Sequence, residues 1–218
     1  MDEQHGGIGS VRDDGGNVIQ FKYGEDGFDP MCLVKQEIGE LSKPMDDFIK
    51  RGGWDVLPET AWADTWRNLA KTAFSSSVAL VEKTPKYAAR LPLDVRHLLH
   101  ALIEKGSPAA SPQPNGVTRA LEVVFRGAMI FLFKTVRPSL HNRWLENMVI
   151  FIVLRDLQPA YLLPHITSGR LTTQKIRALY NILCARWSRA LVQPGEKVGV
   201  IAAQSLGQLA MQATLNTF

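Results

Sequence analysis

With 218 residues, of which 45% are hydrophobic and 21% charged, the chain has the composition of a soluble globular protein of one or two domains. Two cysteines, Cys32 and Cys184, are too few for a disulfide framework and too far apart for a zinc knuckle, which favours a reduced intracellular protein. The longest uninterrupted apolar run, Met148 to Leu154, is much shorter than the roughly 18 residues of a membrane span. The sequence therefore predicts no membrane contact.

Charge is distributed unevenly along the chain. Residues 1–60 contain 6 Lys and Arg against 13 Asp and Glu, whereas residues 61–218 contain 19 against 8. Between Asp156 and Glu196 there is no acidic residue, while basic residues accumulate. This asymmetry fits a nearby polyanion, an acidic protein neighbour or a solvated helical face, and the scattered basic residues leave these alternatives open.

The predicted elements begin with a short strand. Apolar and polar residues alternate from Asn17 to Tyr23, which predicts a strand that ends at a turn over residues 24–27. Residues 1–16 are rich in Gly and Asp and are predicted to be irregular. A polar segment without clear periodicity follows, up to Gly53.

Helices are predicted for most of the remaining chain, so the fold class is mainly α with a small β element. Trp62 and Trp66 recur at helical spacing after a helix start near residue 58, and we predict that they pack in the core rather than stack on bases. The histidine pair His97 and His100 lacks a third ligand and predicts no metal site. Further helices are predicted over residues 91–103, 117–133, 140–157, 174–191 and from about 197, with a loop at 106–116 and an irregular stretch at 159–164.

The last predicted helix has an amide side chain at every fourth position, at Gln204, Gln208, Gln212 and Asn216. Residues four apart lie on one helix face, so these amides form a line along the helix. Such a line suits hydrogen bonds to ribose hydroxyls, base edges or backbone carbonyls, but it equally suits contact with water. Small residues around Gly207 predict close packing of another face against a further segment.

Two segments of the chain resemble one known family. Residues 194–207 (PGEKVGVIAAQSLG), followed by Gln212 and by residues 214–218 (TLNTF), are similar to the sequence that leads into the trigger loop in the largest subunit of multisubunit DNA-directed RNA polymerases. Residues 16–30 (GNVIQFKYGEDGFDP) are similar to the stretch that follows the bridge helix in the same subunit, and are closest to the RNA polymerase II type. Residues 31–193 resemble the intervening region only in helical character and position.

The resemblance divides the chain into three parts. Residues 1–53 correspond to a cleft-type segment, residues 54–193 to a helical foot-like region, and residues 194–218 to the helix that leads into the trigger loop. The chain is accordingly expected to be a fragment of a larger multidomain nucleotidyltransferase subunit, inactive alone, that contributes to the cleft and to substrate gating. The alternative is a non-catalytic helical interaction module from a degenerate or truncated polymerase gene.

By position, Gln212, Leu215 and Asn216 match the substrate-facing residues of the family. The resemblance implies that Gln212 and Asn216 contact the ribose and its surroundings and that Leu215 packs on the base. No catalytic residue and no metal ligand is expected in this chain, because the family holds Mg²⁺ through an aspartate-rich motif that nothing here resembles.

The implied partners are the other polymerase subunits, especially the second-largest, together with the DNA template, RNA and nucleoside triphosphates. The implied location is the nucleus, or a viral or cytoplasmic setting if the chain comes from a large DNA virus. The sequence departs from the family pattern at residues 207–209, where Gly-Gln-Leu replaces Gly-Glu-Pro. Because a proline disturbs a helix, its absence predicts a straighter helix at this point.

Overall fold

A computed structural model of the chain describes residues 10–38, 41, 43–81, 88–105, 114–140 and 142–215. Helices dominate and two small antiparallel sheets accompany them, which confirms the predicted class, mainly α with a small β element. The chain forms two compact units. The terminal unit joins the described residues up to Asp29 with those from Leu191 onward, and the core unit comprises the described residues from Pro30 to Ala190. The three segments inferred from the resemblance are defined by motifs and stay a prediction.

In the terminal unit, a short hairpin forms where the sequence predicts one strand. Strand β1 (Val11–Arg12) pairs antiparallel with β2 (Val18–Gln20), and the register shifts within β1. The turn between them is closed by Asp13, whose carboxylate accepts hydrogen bonds from the Asn17 backbone N–H at 2.8 Å and from the Asn17 side chain at 3.0 Å. These bonds lower the pKa of Asp13. The expectation that residues 1–16 are irregular is therefore wrong for β1, because a local Asx-type turn orders it.

The core unit is a helical assembly with one two-stranded sheet. Its strands pair antiparallel, with Val34 opposite Leu91 and Glu37 opposite Ala88. In chain order its elements are β3 (Val34–Glu37), α1 (Met45–Gly52), α2 (Ala61–Val81), β4 (Ala88–Leu91), α3 (Val95–Glu104), α4 (Pro114–Ile130), a π-helical stretch (Phe131–Val136), α5 (Arg137–Ser139), α6 (Arg143–Asp156), α7 (Pro159–Thr167) and α8 (Thr173–Ala190).

Helix α6 lies at the centre of the core unit, where it packs against α2 and α3. Every residue from Met148 to Asp156 is buried, and the Phe151 ring lies 5.6 Å from that of Phe48 and 6.0 Å from that of Phe74. Aromatic packing of this kind adds to the free energy gained from apolar burial. The apolar run that stands out in the sequence is therefore the centre of the hydrophobic core.

The two tryptophans of α2 join this core. Trp66 is fully buried, and its ring lies 5.4 Å from that of Trp54 and 5.7 Å from that of Phe125 in α4. Trp62 is half-buried and lies 6.3 Å from Trp66 and 6.0 Å from Phe125. The prediction that this pair packs in the core is confirmed.

Among the described residues, one stretch, Arg143–Thr167, is long and apolar enough to cross a membrane by length and composition alone. In this structure Leu157 and Gln158 divide it into α6 and α7. Within its 18-residue apolar window, 67% is buried inside the chain. A largely buried apolar helix is also what the core of a globular protein contains.

Several boundaries differ from the sequence predictions. The predicted helix start at Leu91 is wrong, because Ala88–Leu91 pair with β3, and the helix begins only after Asp94, whose carboxylate caps it by accepting from the His97 N–H at 2.9 Å. Helix α4 begins at Pro114, inside the predicted loop, while residues 106–113 lie outside the described part of the chain. The gap between the helices predicted over residues 117–133 and 140–157 is instead helical, because α5 continues the π-helical stretch up to Ser139.

The stretch between Pro159 and Pro164 was expected to be irregular and forms α7 instead. Pro159 occupies the first helical turn, where the missing N–H costs nothing. Pro164 lies inside the helix, and the burial of Leu162 and Ile166 stabilises the helix in spite of the lost hydrogen bond.

Candidate functional site

The segment that carries Gln204, Gln208 and Gln212 forms helix α9, from Val198 to Leu215, as predicted. It follows a turn in which Gly195 has a φ of +87°, a left-handed conformation that favours glycine. The Val198 N–H donates to the Glu196 carbonyl at 3.0 Å as the helix begins. Helix α9 continues without interruption through residues 207–209, as expected for a sequence that lacks the family's proline there.

The surface of α9 is open to solvent in this chain. The amides of Gln204, Gln208 and Gln212 are exposed, and so are Leu206, at 68%, and Ile201, at 46%. A Cβ atom built on Gly199 or Gly207 would meet no atom within 4 Å. The close packing predicted for the small-residue face is therefore not supplied by the described residues, and an apolar surface is left uncovered.

The structure describes the three residues predicted to face a substrate to different extents. Gln212 lies on α9, four residues after Gln208 and on the same face, and its side chain is exposed. Leu215 is the last residue of α9, and nothing is described of its side chain. Asn216 lies outside the described residues. Their substrate-facing roles stay a prediction.

The terminal unit brings together the two motifs that lie at opposite ends of the sequence. Phe28 and Leu191 form an antiparallel bridge, and the Val192 N–H donates to the Gly27 carbonyl at 3.0 Å. Phe28 is only 2% exposed. The stretch that resembles the post-bridge-helix segment is thus hydrogen-bonded to the residues directly before Pro194, where the second motif begins.

A tight turn prepares Phe28 for this contact. Gly27 has a φ of +77°, and its N–H donates to the Tyr23 carbonyl at 2.8 Å. The Phe28 N–H donates to the Asp26 carboxylate at 3.0 Å. A Cβ on residue 27 would lie 2.7 Å from Cε of Lys22, a flexible side chain that can move aside, so it is the backbone conformation that favours glycine here. Burial lowers the pKa of Lys22, and the nearby Asp26 carboxylate opposes this shift.

Within the described part of the chain, no group of three or more His, Cys, Asp and Glu residues is placed to hold a metal ion. His97 and His100 are exposed, and His100 Nδ1 lies 3.4 Å from a carboxylate oxygen of Glu104. The described residues thus offer no ligand set for the Mg²⁺ that the resemblance implies, and we assign no step to that ion here.

A buried polar cluster in the core unit was missed by sequence reasoning. Arg155, at the end of α6, donates to the Asp156 carboxylate at 2.9 Å, to the Glu37 carbonyl at 2.8 Å and to the Gln36 side chain at 3.2 Å. The amide of Gln36 in turn donates to the Leu93 carbonyl. The cluster ties β3 to α6 and to the start of α3. Its only sequence signal is a charged pair directly after an apolar run.

Burial raises the pKa of Asp156 in this cluster, and the adjacent guanidinium of Arg155 opposes the shift. One carboxylate oxygen of Asp156, Oδ2, is buried without a hydrogen-bond partner among the described residues. Arg155 and Asp156 are 8% and 1% exposed, so the cluster lies inside the scaffold and we interpret it as structural.

Comparison with known proteins identifies the family. Residues 7–218 match the family described as RNA polymerase Rpb1, domain 5. The chain belongs to this family. Among similar proteins is the DNA-directed RNA polymerase I subunit RPA1 of Trypanosoma brucei brucei, which is 29% identical to the Rpb1 domain 5 chain over 211 residues. The alignment covers 96% of the chain but 11% of RPA1, so the chain spans about a tenth of that relative's length. The predicted membership in the largest-subunit family of RNA polymerases is confirmed.

Proposed function

We propose that this Rpb1 domain 5 chain acts in transcription, as the part of an RNA polymerase largest subunit that supports substrate gating. In this proposal α9 leads into the segment that closes over the incoming nucleoside triphosphate during RNA synthesis on a DNA template. One observation carries the proposal. The N-terminal motif, through Gly27 and Phe28, is hydrogen-bonded to Leu191 and Val192, which directly precede the motif that begins at Pro194.

The open surface of α9 supports a role inside a larger assembly. Exposed apolar side chains such as Leu206 and Ile201 favour burial against a partner, because apolar surface gains free energy when it leaves water. The expected cover is the remainder of the polymerase, including the second-largest subunit, in the nucleus. The same partners would supply the metal ligands and most of the cleft, so the chain alone is expected to be inactive.

The last two amides of the line, Gln212 and Asn216, and the neighbouring Leu215 supply the proposed contacts with substrate. An amide both donates and accepts hydrogen bonds, so Gln212 and Asn216 suit the ribose hydroxyls, whereas the apolar Leu215 suits the face of a base. Closure of such a segment over a bound nucleotide excludes water and completes the site only for the correct substrate. The role of this chain is therefore proposed to be selection and positioning rather than the chemical step.

Single-nucleotide incorporation by the complete polymerase tests these roles. Gln212→Ala and Asn216→Ala are each expected to slow incorporation about fivefold and to weaken the preference for ribonucleotides over 2′-deoxyribonucleotides, because each removes one hydrogen bond. Gln208→Ala, one turn earlier on the same face, is the matched control and should leave both quantities unchanged. Unchanged elongation and unchanged sugar preference in both variants would contradict the substrate-facing role.

The competing function is a non-catalytic interaction module, and the open face of α9 is also compatible with it. Affinity purification of the tagged chain from its own cells distinguishes between the two proposed functions. Recovery of the other polymerase subunits in equal amounts supports the proposed function. Stable recovery of a partner without any polymerase subunit would favour the module.

A further inference from the structure

We propose that a groove between α4 and α8 binds an acidic peptide segment with an apolar side chain, presented by a partner polypeptide. The groove has a volume of about 690 Å³ and is lined by one side of each helix, and a smaller cavity of about 330 Å³ shares its Arg119, Val123 and Arg177. It lies within the core unit and has no part in the nucleotide contacts proposed for α9.

The shape of the groove depends on a close approach of the two helices. A Cβ atom built on Gly127 of α4 would overlap the ring of Tyr180 of α8. The Tyr180 hydroxyl donates to the Val124 carbonyl at 2.7 Å, which satisfies its polar atom and holds the ring in the floor. The floor of the groove is therefore held in place by this contact and this hydrogen bond.

The charge of the groove favours an acidic occupant. Three arginines line it, against one carboxylate, Glu122, which is already paired with Arg126 at 2.7 Å. Among the described residues, Arg119 and Arg177 have no ion-pair partner, and both are exposed. Helix α8 contains no acidic residue at all. Two guanidinium groups are thus available for carboxylates, which they bind with two parallel hydrogen bonds.

The apolar part of the groove favours a peptide over a nucleic acid. Ile130 is 55% exposed and Val123 is half-buried, and both line the same groove as the arginines. A phosphate backbone would use the arginines but would gain nothing from these aliphatic side chains. A peptide that alternates carboxylates with apolar residues would use both, because the apolar residue leaves water as the charges pair.

A π-helical stretch at one end of the groove is a second, independent observation. Phe131–Val136 continues α4 directly, and Phe131 lines the groove. Thr135 of this stretch contacts Cys184 of α8 through its hydroxyl, 3.6 Å from the thiol sulfur. Short π-helical segments are rare and are frequently found at functional sites, so the presence of one at this groove supports a binding role.

Fluorescence anisotropy with the 218-residue chain tests the proposal. The probe is a short labelled peptide of alternating Glu and Leu, with an alternating Lys and Leu peptide as its negative control. Arg119→Glu combined with Arg177→Glu should weaken binding of the acidic peptide about tenfold or more, since two attractive pairs become repulsive. Arg186→Glu is the matched control, because residue 186 lies on the opposite side of α8 from Arg177 and does not line the groove.

Two further measurements identify the class of partner. Ile130→Ser should weaken binding of the acidic peptide severalfold and leave any binding of a labelled RNA or DNA oligonucleotide unchanged. The proposal would be overturned if the acidic peptide bound equally well to the double variant Arg119→Glu/Arg177→Glu and to Arg186→Glu. It would also be overturned if only the oligonucleotide bound to the chain and its affinity fell in that double variant. Neither result bears on nucleotide incorporation, so failure here is distinct from failure of the proposed function.

Discussion

Phe28 and Leu191, from opposite ends of the chain, lie side by side in an antiparallel bridge. The adjacent hydrogen bond, from the Val192 N–H to the Gly27 carbonyl, is 3.0 Å long. This pairing fixes the start of the Pro194-Gly195-Glu196 turn against the N-terminal motif, and the turn leads directly into α9. The position of the turn before α9 therefore depends on a contact between two segments that are far apart in the sequence.

Phe28→Ala should loosen this contact. Removing a buried phenylalanine ring typically costs about 3–5 kcal/mol, and Phe28 is 2% exposed. We expect the amide of Val192 to exchange its hydrogen faster in the variant, as measured by hydrogen exchange with NMR detection. Phe21→Ala is the control, because Phe21 is 82% exposed and its loss should change stability little. Equal protection of Val192 in the two variants would show that the Phe28 ring does not hold the bridge.

Local patterns predicted some elements well. The helix predicted over residues 174–191 forms α8, and the apolar residues that recur there at helical spacing, Ile176, Leu179, Tyr180, Leu183 and Trp187, are all buried. The placement of Gln204, Gln208 and Gln212 along α9 followed from the same period. Both depend only on residues close in sequence, where helical geometry is sufficient.

Elements that form only by pairing with a segment distant in the sequence were not predicted. Ala88–Leu91 have little strand propensity, and they form β4 because β3, far away in sequence, pairs with them. The bridge between Phe28 and Leu191 has the same character, since no local pattern specifies a partner at the other end of the chain. The sequence could therefore predict where the amides of the candidate site lie on their helix, but not which segment supports that helix.

Gly127→Ala should destabilise the core unit. The new methyl group would overlap the Tyr180 ring, which the buried hydrogen bond to Val124 prevents from moving freely. Overpacking of this kind costs about 1–3 kcal/mol, so the midpoint of urea unfolding should fall. Gly207→Ala is the matched helical control, because a Cβ there meets no atom within 4 Å and alanine favours the helix. A loss of stability no larger than in that control would contradict the assigned contact.

The pH dependence of stability should report on Asp156. Its pKa is raised above the ordinary value of 3.8, chiefly by burial and slightly by Asp94, while Arg155 and Arg96 oppose the shift. The unfolded chain therefore releases this proton at a lower pH than the folded chain does. As the pH rises from about 3.8 through the raised folded-state value, this group lowers the free energy of unfolding, and the loss is complete above that value.

Asp156→Asn removes this titration, so its free energy of unfolding should change less with pH over that interval. Urea unfolding at a series of pH values measures the difference. The control is Asp55→Asn, which removes an exposed carboxyl group from the same unit. Identical pH profiles for Asp156→Asn and the native chain would contradict the raised pKa.

The uninterrupted course of α9 should depend on the leucine at position 209. Leu209→Pro restores the residue of the family pattern and removes one backbone hydrogen bond, at a cost of about 3 kcal/mol inside a helix. Circular dichroism should show lower helical content in the proline variant than in Leu209→Ala. Equal helicity in the two variants would mean that this part of α9 is not an ordinary hydrogen-bonded helix.

The open surface of α9 leads to the most direct test of the proposed assembly. Hydrogen exchange of residues 198–215 should be fast in the isolated 218-residue chain, where the apolar face around Leu206 is exposed. In the complete polymerase the same peptide segment should exchange at least tenfold more slowly, because other parts of the enzyme would cover it. Equally fast exchange in the isolated chain and in the polymerase would contradict the claim that α9 works as a docked part of the nucleotide-addition machinery.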